Sequence, residues 1–205
     1  MATPTYSLSL DEFRRYAKEG NLIPLYREIL ADYETPVSAF AKIDHGPSAY
    51  LLESVQGGEK WARYSFLGSG SPILMVEDRG DLLIKQGKRT RRIACKGAPL
   101  DRLREFMETY RPVTVPGLPR FVGGAVGYLG YDMVSTFENI SFRRKESLNL
   151  PEFAFLLTDT LLIFDNVAQK IKVVANAHVA SQSDRAIRQA DRKSTRLNSS
   201  HRCIS

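Results

Sequence analysis

FAFLLTDTLLIFDNVAQKIKVVANA, residues 153–177, is the stretch that decides the fold class of this chain. Two long apolar runs, rich in β-branched and aromatic residues, lie on either side of the short segment NVAQ (166–169), which Asp165 and Lys170 flank. Such runs favour strands, and a short turn between two strands favours antiparallel pairing. The stretch therefore predicts two long strands, FAFLLTDTLLIFD and KIKVVANA, around a turn at residues 166–169. Asp165 is expected to begin that turn rather than to serve as an acid or base.

The residues before this stretch predict further strands and one clear helix. PILMVEDRGDLLIKQGKRTRRIAC (72–95) is expected to form a short meander with turns at Arg79-Gly80 and Gln86-Gly87. PLDRLREFMETY (99–110) predicts an amphipathic helix, because its apolar residues recur at helical spacing. FVGGAVGYLGYDMV (121–134) contains four glycines, and they favour close backbone approach in a strand over a phosphate-binding loop, since neither GxGxxG nor GK[ST] is present.

The two ends of the chain predict more helices and one more strand. SLDEFRRYAKEGN (9–21) is expected to form a helix with a capping box at its start. PLYREILADY (24–33) is expected to form a second helix, because its proline suits a first turn. PVSAFAKI (36–43) is expected to form a strand, since apolar residues alternate along it. SQSDRAIRQA (181–190) is expected to begin another helix.

A second stretch, AYLLESVQGGEKWARYSFLG (49–68), places polar residues at the end of an apolar run. Strands are expected over 48–54 and 62–69, joined by a turn at the glycine pair. The first strand ends in Glu53 and Ser54, and a basic residue returns in the second strand. A carboxylate and a hydroxyl at the edge of an apolar wall suggest a site for a small polar ligand.

Composition indicates a globular protein of one large domain or somewhat more. Of the 205 residues, 43% are hydrophobic and 25% are charged, which is typical of a chain that buries a sizeable core. No apolar run approaches the ~20 residues of a membrane-spanning helix, and the N-terminus shows no secretory signal. Cys95 and Cys203 make no disulfide framework. We therefore expect a cytoplasmic protein with no membrane partner.

The C-terminal segment DRKSTRLNSSHRCIS (191–205) resembles the translation of a sequencing-library adapter. It has no apolar periodicity and does not continue the helix expected before it. It holds four basic residues and one acidic residue, so it carries half of the net charge of +6. We therefore expect a natural but truncated region over 1–190 and a non-native tail over 191–205. A natural disordered basic tail is the alternative.

The sequence lacks the common metal and nucleophile motifs. His45, His178 and His201 are its only histidines, and none lies in an HExxH motif or beside a cysteine pair. No GxSxG motif is present for a serine nucleophile. The residues alone therefore predict an α+β domain with a small-ligand site and without an assembled catalytic site.

Several motifs together resemble one enzyme family. The chain is similar to the N-terminal portion of anthranilate synthase component I from about residue 9 to Ala190, and the motifs that carry the resemblance are LIPLYREILADYETPVSAF (22–40), LLES (51–54), RYSFLG (63–68), GGAVGYLGYD (123–132) and LLIFDNVAQKIKVVANA (161–177). Aminodeoxychorismate synthase component I shares the architecture and is the alternative. The LLES and RYSFLG motifs and the lead-in at 22–40 favour anthranilate synthase.

The resemblance implies a fold and a reaction. The expected fold class is α+β, mostly antiparallel sheet with flanking helices, as an incomplete half of the two-sheet component I fold. The family converts chorismate and ammonia to anthranilate and pyruvate in tryptophan biosynthesis, and a glutamine amidotransferase subunit (component II) supplies the ammonia. The chorismate pocket and the Mg²⁺ ligands belong to the C-terminal half, which we expect this chain to lack. The chain alone is therefore expected to hold no catalytic residue, metal or cofactor and to be inactive.

The same resemblance implies a feedback site for L-tryptophan at LLES. Ser54 is expected to be the best single contact, with Glu53 and Leu52 as its neighbours and Leu51 and Leu52 as apolar wall. Lys60 and Arg63 are further candidates. A buried zwitterion needs polar partners: a carboxylate suits its ammonium, and a hydroxyl or N–H suits its carboxylate. The alternative is that Glu53 and Ser54 only end a strand and begin a turn. GGAVGYLGYD is expected to pack against the missing half.

Three functions stay open on these grounds. The first is a truncated biosynthetic enzyme subunit that retains the tryptophan-sensing part. The second is a stand-alone amino-acid-binding module, which would need a complete pocket within this chain. The third is a nucleic-acid binder using the basic run at 88–92, and a solvated hairpin is favoured over it because no aromatic residues interleave for base stacking. No nucleic-acid partner is therefore expected.

Overall fold

The computed structural model describes residues 8–44, 46–53, 63–95, 99–136, 138–140 and 150–180. The chain divides into two compact units. Unit 1 comprises Met1–Ser71, Tyr110–Gly123 and Asp159–Ser205, and unit 2 comprises Pro72–Thr109 and Gly124–Thr158. Within the described ranges each unit contains one five-stranded antiparallel sheet, so the predicted α+β class with mostly antiparallel sheet and flanking helices is confirmed.

The elements follow in this order along the chain. The helices are α1 (Leu10–Glu19), α2 (Pro36–Ile43), α3 (Pro99–Glu108) and a 3₁₀ helix (Tyr131–Thr136). The strands are β1 (Leu22–Leu30), β2 (Tyr50–Leu52), β3 (Tyr64–Gly68), β4 (Ile73–Asp78), β5 (Asp81–Gln86), β6 (Arg89–Ile93), β7 (Gly124–Leu129), β8 (Phe153–Thr158), β9 (Thr160–Asp165) and β10 (Lys170–His178). No helix within the described ranges is long and apolar enough to cross a membrane.

The sheet of unit 1 has the strand order β1-β10-β9-β3-β2. One of its faces packs on α1 and α2, through Phe13 and Ala17 of α1 and Ala39 and Ile43 of α2. The opposite face bears a third apolar cluster around Leu161, Ile163 and Val174. The central strands β9 and β10 are therefore buried on both faces, and this explains why their sequences are almost continuously apolar.

The predicted helix over 24–33 and the predicted strand over 36–43 are both wrong. Residues 22–30 form β1, which pairs along its full length with β10. That long-range pairing overrides the helix signals of the sequence. Residues 36–43 form α2, because Thr35 and Ser38 make a reciprocal capping box and the proline occupies its first turn. The apolar alternation in this segment did not indicate a strand.

The opening stretch also differs from its prediction in one respect. FAFLLTDTLLIFD forms two strands, β8 in unit 2 and β9 in unit 1, separated at Asp159. The backbone oxygen of Asp159 accepts a hydrogen bond from the N–H of Asn176 at 2.7 Å. A residue of β10 therefore holds the position between β8 and β9. The predicted turn at 166–169 is confirmed, since Asp165 Oδ1 accepts hydrogen bonds from the N–H groups of Val167 and Ala168.

Local sequence signals predicted several of the other described elements, although the 3₁₀ helix at Tyr131–Thr136 was not predicted. The capping box of α1 is present, with Ser9 and Glu12 bonded reciprocally. The meander forms β4, β5 and β6, with the first turn at Arg79-Gly80 as predicted and the second at Gly87-Lys88, one residue later than predicted. α3 lies within the predicted 99–110. The strands expected over 48–54 and 62–69 appear as the shorter β2 and β3. The predicted turn at 57–58, helix over 181–190 and tail lie outside the described residues.

Unit 2 has the strand order β6-β5-β4-β8-β7, so β6 and β7 form the edges of its sheet. α3 packs against β5, and Met75, Leu82 and Phe153 are fully buried. The close backbone approach predicted for the glycine-rich segment is found at Gly127, where an added Cβ would collide with the backbone of β8.

Candidate functional site

The candidate site begins at the exposed end of β2, the short edge strand of unit 1. Leu52 is 46% exposed, and Glu53 directly after it is exposed. Ser54 and Lys60, the other residues proposed around this point, lie outside the described residues. The structure therefore locates Leu52 and Glu53 together at the end of the strand.

Leu51 and Leu52 lie on opposite faces of the sheet, because side chains alternate along a strand. Leu51 packs on the core cluster beneath α2. Leu52 lies opposite Phe66 of β3 and shares its face. The expectation that both leucines line one wall is therefore wrong, and Leu52 is the one that borders the candidate site.

The face shared by Leu52 and Phe66 is rich in aromatic side chains. We call it the aromatic face; it comprises Leu52, Phe66, Tyr64, Leu161, Ile163, Val174 and Tyr26, covered in part by Leu118 and Phe121. The rings of Phe66 and Phe121 meet edge to face, with centroids 5.1 Å apart, and those of Tyr64 and Phe66 lie 6.3 Å apart. Such a surface suits a planar apolar group, because aromatic pairs favour these geometries.

Arg63, directly before β3, is held by the buried carboxylate of Asp165. Its guanidinium donates to both oxygens of Asp165, with Nη2–Oδ2 at 2.7 Å and Nε–Oδ1 at 3.1 Å. It also lies over the ring of Tyr64, 5.0 Å from the centroid. Burial alone would raise the pKa of Asp165, but the guanidinium and the N–H groups of the following turn outweigh it, so the pKa of that carboxyl is lowered. This Arg63–Asp165 pair joins β3 to the end of β9.

A second ion-pair group lies on the aromatic face, in the cross-strand row that runs from Leu52 to Glu28. Lys172 is only 7% exposed; its ammonium bonds to Glu28 and lies 5.2 Å from the ring centroid of Tyr26. Glu28 also accepts from Lys170 at 3.1 Å. The bonds from Lys172 and then Lys170 lower the pKa of Glu28. Three interstrand spacings, about 14 Å, separate Lys172 from Leu52, so this group is not part of the β2 end.

A comparison of the sequence with models of protein families identifies one family. A model of the family described as chorismate binding enzyme matches residues 49–203, a range that includes the LLES motif and most of both sheets. The chain belongs to this family.

Curated relatives of this chain include proteins named anthranilate synthase component 1. Anthranilate synthase component 1 of Acetivibrio thermocellus is 40% identical over 178 residues, which cover 87% of this chain and 36% of that protein. The Pseudomonas aeruginosa protein of the same name is 41% identical over 180 residues, covering 86% and 36%. Among solved structures, anthranilate synthase component I from Streptococcus pneumoniae TIGR4 is 25% identical with a TM-score of 0.46, covering 82% and 36%. The chain thus spans about a third of the length of the relatives it matches.

The resemblance to anthranilate synthase component I implies Mg²⁺ in the full-length members of that family. Mg²⁺ is bound by oxygen ligands, often one or two carboxylates together with water. Among the described residues no group of three histidine, cysteine, aspartate or glutamate side chains converges.

Sequence reasoning missed three features of unit 1. The partnership of Arg63 with Asp165 spans 102 positions, and no local pattern signals it. The nearly buried Lys172 could have been suspected, because a lysine interrupts the apolar run of β10. Asn176 is buried and donates to Val122 O at 2.7 Å, while its Oδ1 has no hydrogen-bond partner among the described residues.

We expect Asp165→Asn to lower the free energy of unfolding by about 2 kcal/mol at neutral pH, since a buried charged hydrogen bond is lost. Because folding lowers the pKa of Asp165, the ionised carboxylate contributes its full stabilisation at pH values above the ordinary carboxyl pKa. That stabilisation is lost as the pH falls through the lowered value. Urea unfolding of both proteins should therefore show a difference that shrinks below about pH 4.

The control for this prediction is Asp11→Asn. Asp11 pairs with Arg14 on α1, and its side chain is 91% exposed. An exposed pair contributes little, so this variant should unfold like the unchanged protein at both pH values. A loss in Asp165→Asn that is the same at acidic and neutral pH would contradict the role given to its charge.

Proposed function

We propose that this chain is the N-terminal, tryptophan-sensing part of an anthranilate synthase component I. By this proposal the complete enzyme converts chorismate and ammonia to anthranilate and pyruvate, and component II releases the ammonia from glutamine. The observation that carries the proposal is the 40–41% identity to two anthranilate synthase component 1 proteins over 86–87% of the chain. Aminodeoxychorismate synthase component I is the alternative within the same family.

We propose the β2 end as the tryptophan site. The exposed carboxylate of Glu53 can accept from the ligand's ammonium, and Ser54 can donate to its carboxylate. Leu52, beside Phe66 on the aromatic face, offers apolar surface to the indole. Arg63 is already paired with Asp165, so we assign it to positioning β3; Lys60 remains a further candidate contact.

Catalysis is proposed to reside in the remaining two thirds of the enzyme, with its chorismate and Mg²⁺ sites. The chain alone is then inactive. The edge strand β7 and the 3₁₀ helix after it expose Tyr128, Leu129 and Tyr131 at 45%, 47% and 84%. Exposed apolar groups that lie close together indicate a surface that binds another part of the protein or a partner. We propose that this segment, GGAVGYLGYD, packs against the remainder of the enzyme.

A chimeric enzyme tests the proposed function. Residues 1–180 of this chain replace the matched region of the Acetivibrio thermocellus protein, which is 40% identical. With chorismate, Mg²⁺ and ammonium the chimera should produce anthranilate fluorescence, and the isolated chain should not exceed the blank. A folded but inactive chimera would contradict the proposal. Activity of the isolated chain would contradict the assignment of catalysis to the rest of the enzyme. Aminodeoxychorismate as the product would favour aminodeoxychorismate synthase component I.

Calorimetry with L-tryptophan separates the sensing part of an enzyme from a stand-alone binding module. If the site is completed by the rest of the enzyme, the chimera should bind tryptophan and the isolated chain should bind it much more weakly. L-Leucine serves as the ligand control, because it carries the same zwitterion without the indole. Equal tryptophan affinity of the chain and the chimera would instead favour a self-sufficient amino-acid-binding module.

A further inference from the structure

One edge of the unit 2 sheet is densely cationic. The strand β6 is an edge strand, and it is joined to β5 by the turn at Gly87-Lys88. We call four exposed residues of this hairpin the basic edge: Lys85, Lys88, Arg89 and Arg91. They lie on both faces of the hairpin, because Arg89 and Arg91 share one face and Lys85, which lies opposite Thr90, is on the other.

The charge of the basic edge is not balanced by neighbouring carboxylates. Arg92, the remaining cation of β6, bonds to Asp78 and to Asp81, the latter at 3.0 Å. No described residue forms an ion pair with any of the four residues of the basic edge. The two available carboxylates thus neutralise one arginine, and the exposed edge keeps four positive charges.

One side of the β6 backbone has no paired strand among the described residues. Gln86 and Arg89 close the two-residue hairpin, and the register continues with Lys85 opposite Thr90 and Ile84 opposite Arg91. Hydrogen-bonded and non-hydrogen-bonded pairs alternate along an antiparallel ladder. With the closing pair hydrogen-bonded, the N–H groups of Thr90 and Arg92 point away from β5. No strand in the described part of the chain pairs with these N–H groups, so an added strand could accept hydrogen bonds from them.

We propose that β6 binds an extended acidic segment of a partner polypeptide, which adds to the unit 2 sheet as a further antiparallel or parallel strand. The main chain of an added strand supplies affinity, and its alternate side chains supply specificity. Carboxylates at alternate positions would meet Arg89 and Arg91 on one face. This role goes beyond the proposed enzymatic function and does not depend on it.

Charge complementarity favours an acidic strand over the other partners that could bind along β6. A second copy of the chain would bring like charges into opposition, which destabilises a strand pair. A neutral strand would leave the cations unmatched, which is how charged edges prevent indiscriminate pairing. Single-stranded nucleic acid needs aromatic platforms for its bases, and neither β5 nor β6 contains an aromatic residue. An acidic strand satisfies both the backbone and the charges.

The test uses the full chain and a short fluorescent peptide of alternating glutamate and valine. Fluorescence anisotropy should show binding that weakens as salt is raised, because exposed charges are screened. The same peptide with glutamine in place of glutamate should bind at least about tenfold more weakly. The double variant R89E/R91E should lose acidic-peptide binding to the same degree. Arg104→Glu, at an exposed position on α3, should bind like the unchanged chain.

A second variant tests pairing through the backbone. Thr90→Pro removes an outward N–H without changing any charge, and proline is tolerated on edge strands. It should also weaken the acidic peptide severalfold, while circular dichroism shows an unchanged fold. Full binding by Thr90→Pro, equal binding of the two peptides, or tighter binding of a single-stranded oligonucleotide than of the acidic peptide would each overturn the proposal.

Discussion

Gly127→Ala is expected to cost about 3 kcal/mol of the free energy of unfolding, which is at the upper end for overpacking. A Cβ at position 127 would lie well inside the van der Waals contact distance of Ala154 O and 2.7 Å from Phe155 Cα. Both atoms belong to the backbone of β8, which pairs with β7 along this segment. No side chain can rotate to relieve the contact, so the strands must separate or shift.

Urea unfolding followed by circular dichroism measures this effect, with Gly80→Ala as the control. Gly80 has φ +83°, and an added Cβ there would meet nothing within 4 Å. This control carries backbone strain of about 1 kcal/mol without a steric clash. Equal losses in the two variants would show that β7 accommodates a side chain at position 127, contrary to the close approach of the two strands.

Ser54→Phe is expected to weaken tryptophan inhibition of the chimeric enzyme by at least tenfold. If Ser54 donates to the ligand's carboxylate, the loss of one hydrogen bond to a charged group costs roughly 1.5–3 kcal/mol, or about 10- to 150-fold in affinity. The ring would also occupy the space of the zwitterion. The measurement is an inhibition curve for tryptophan, with the rate in its absence recorded beside it.

Thr90→Phe is the control for this experiment. Thr90 is exposed on β6, at the opposite edge of the unit 2 sheet from β7, so a phenylalanine there should leave the half-inhibitory concentration of tryptophan where it was. An unchanged inhibition curve for Ser54→Phe would remove Ser54 from the site. A collapse of its uninhibited rate would indicate that Glu53 and Ser54 hold the fold, as the simpler interpretation of LLES has it.

Sequence by itself determined the elements whose signals are local. The capping box at Ser9 and Glu12 forms α1 because both partners lie within one helical turn. The hairpins of the meander form because each turn joins strands adjacent in sequence. The antiparallel α+β class and the family resemblance also followed from contiguous stretches, since strand runs and motifs are written in consecutive residues.

Only the tertiary structure decided the features that depend on distant partners. β1 is a strand because β10, almost 150 positions further along, offers a full ladder of pairing, and that outweighs the weak helix preference of its residues. The same cause divides FAFLLTDTLLIFD between two sheets and pairs Arg63 with Asp165. It also packs Leu51 against the core and leaves Leu52 on the opposite face. Each of these outcomes is a contact between segments far apart in sequence, and local pattern carries no information about which distant segment will arrive.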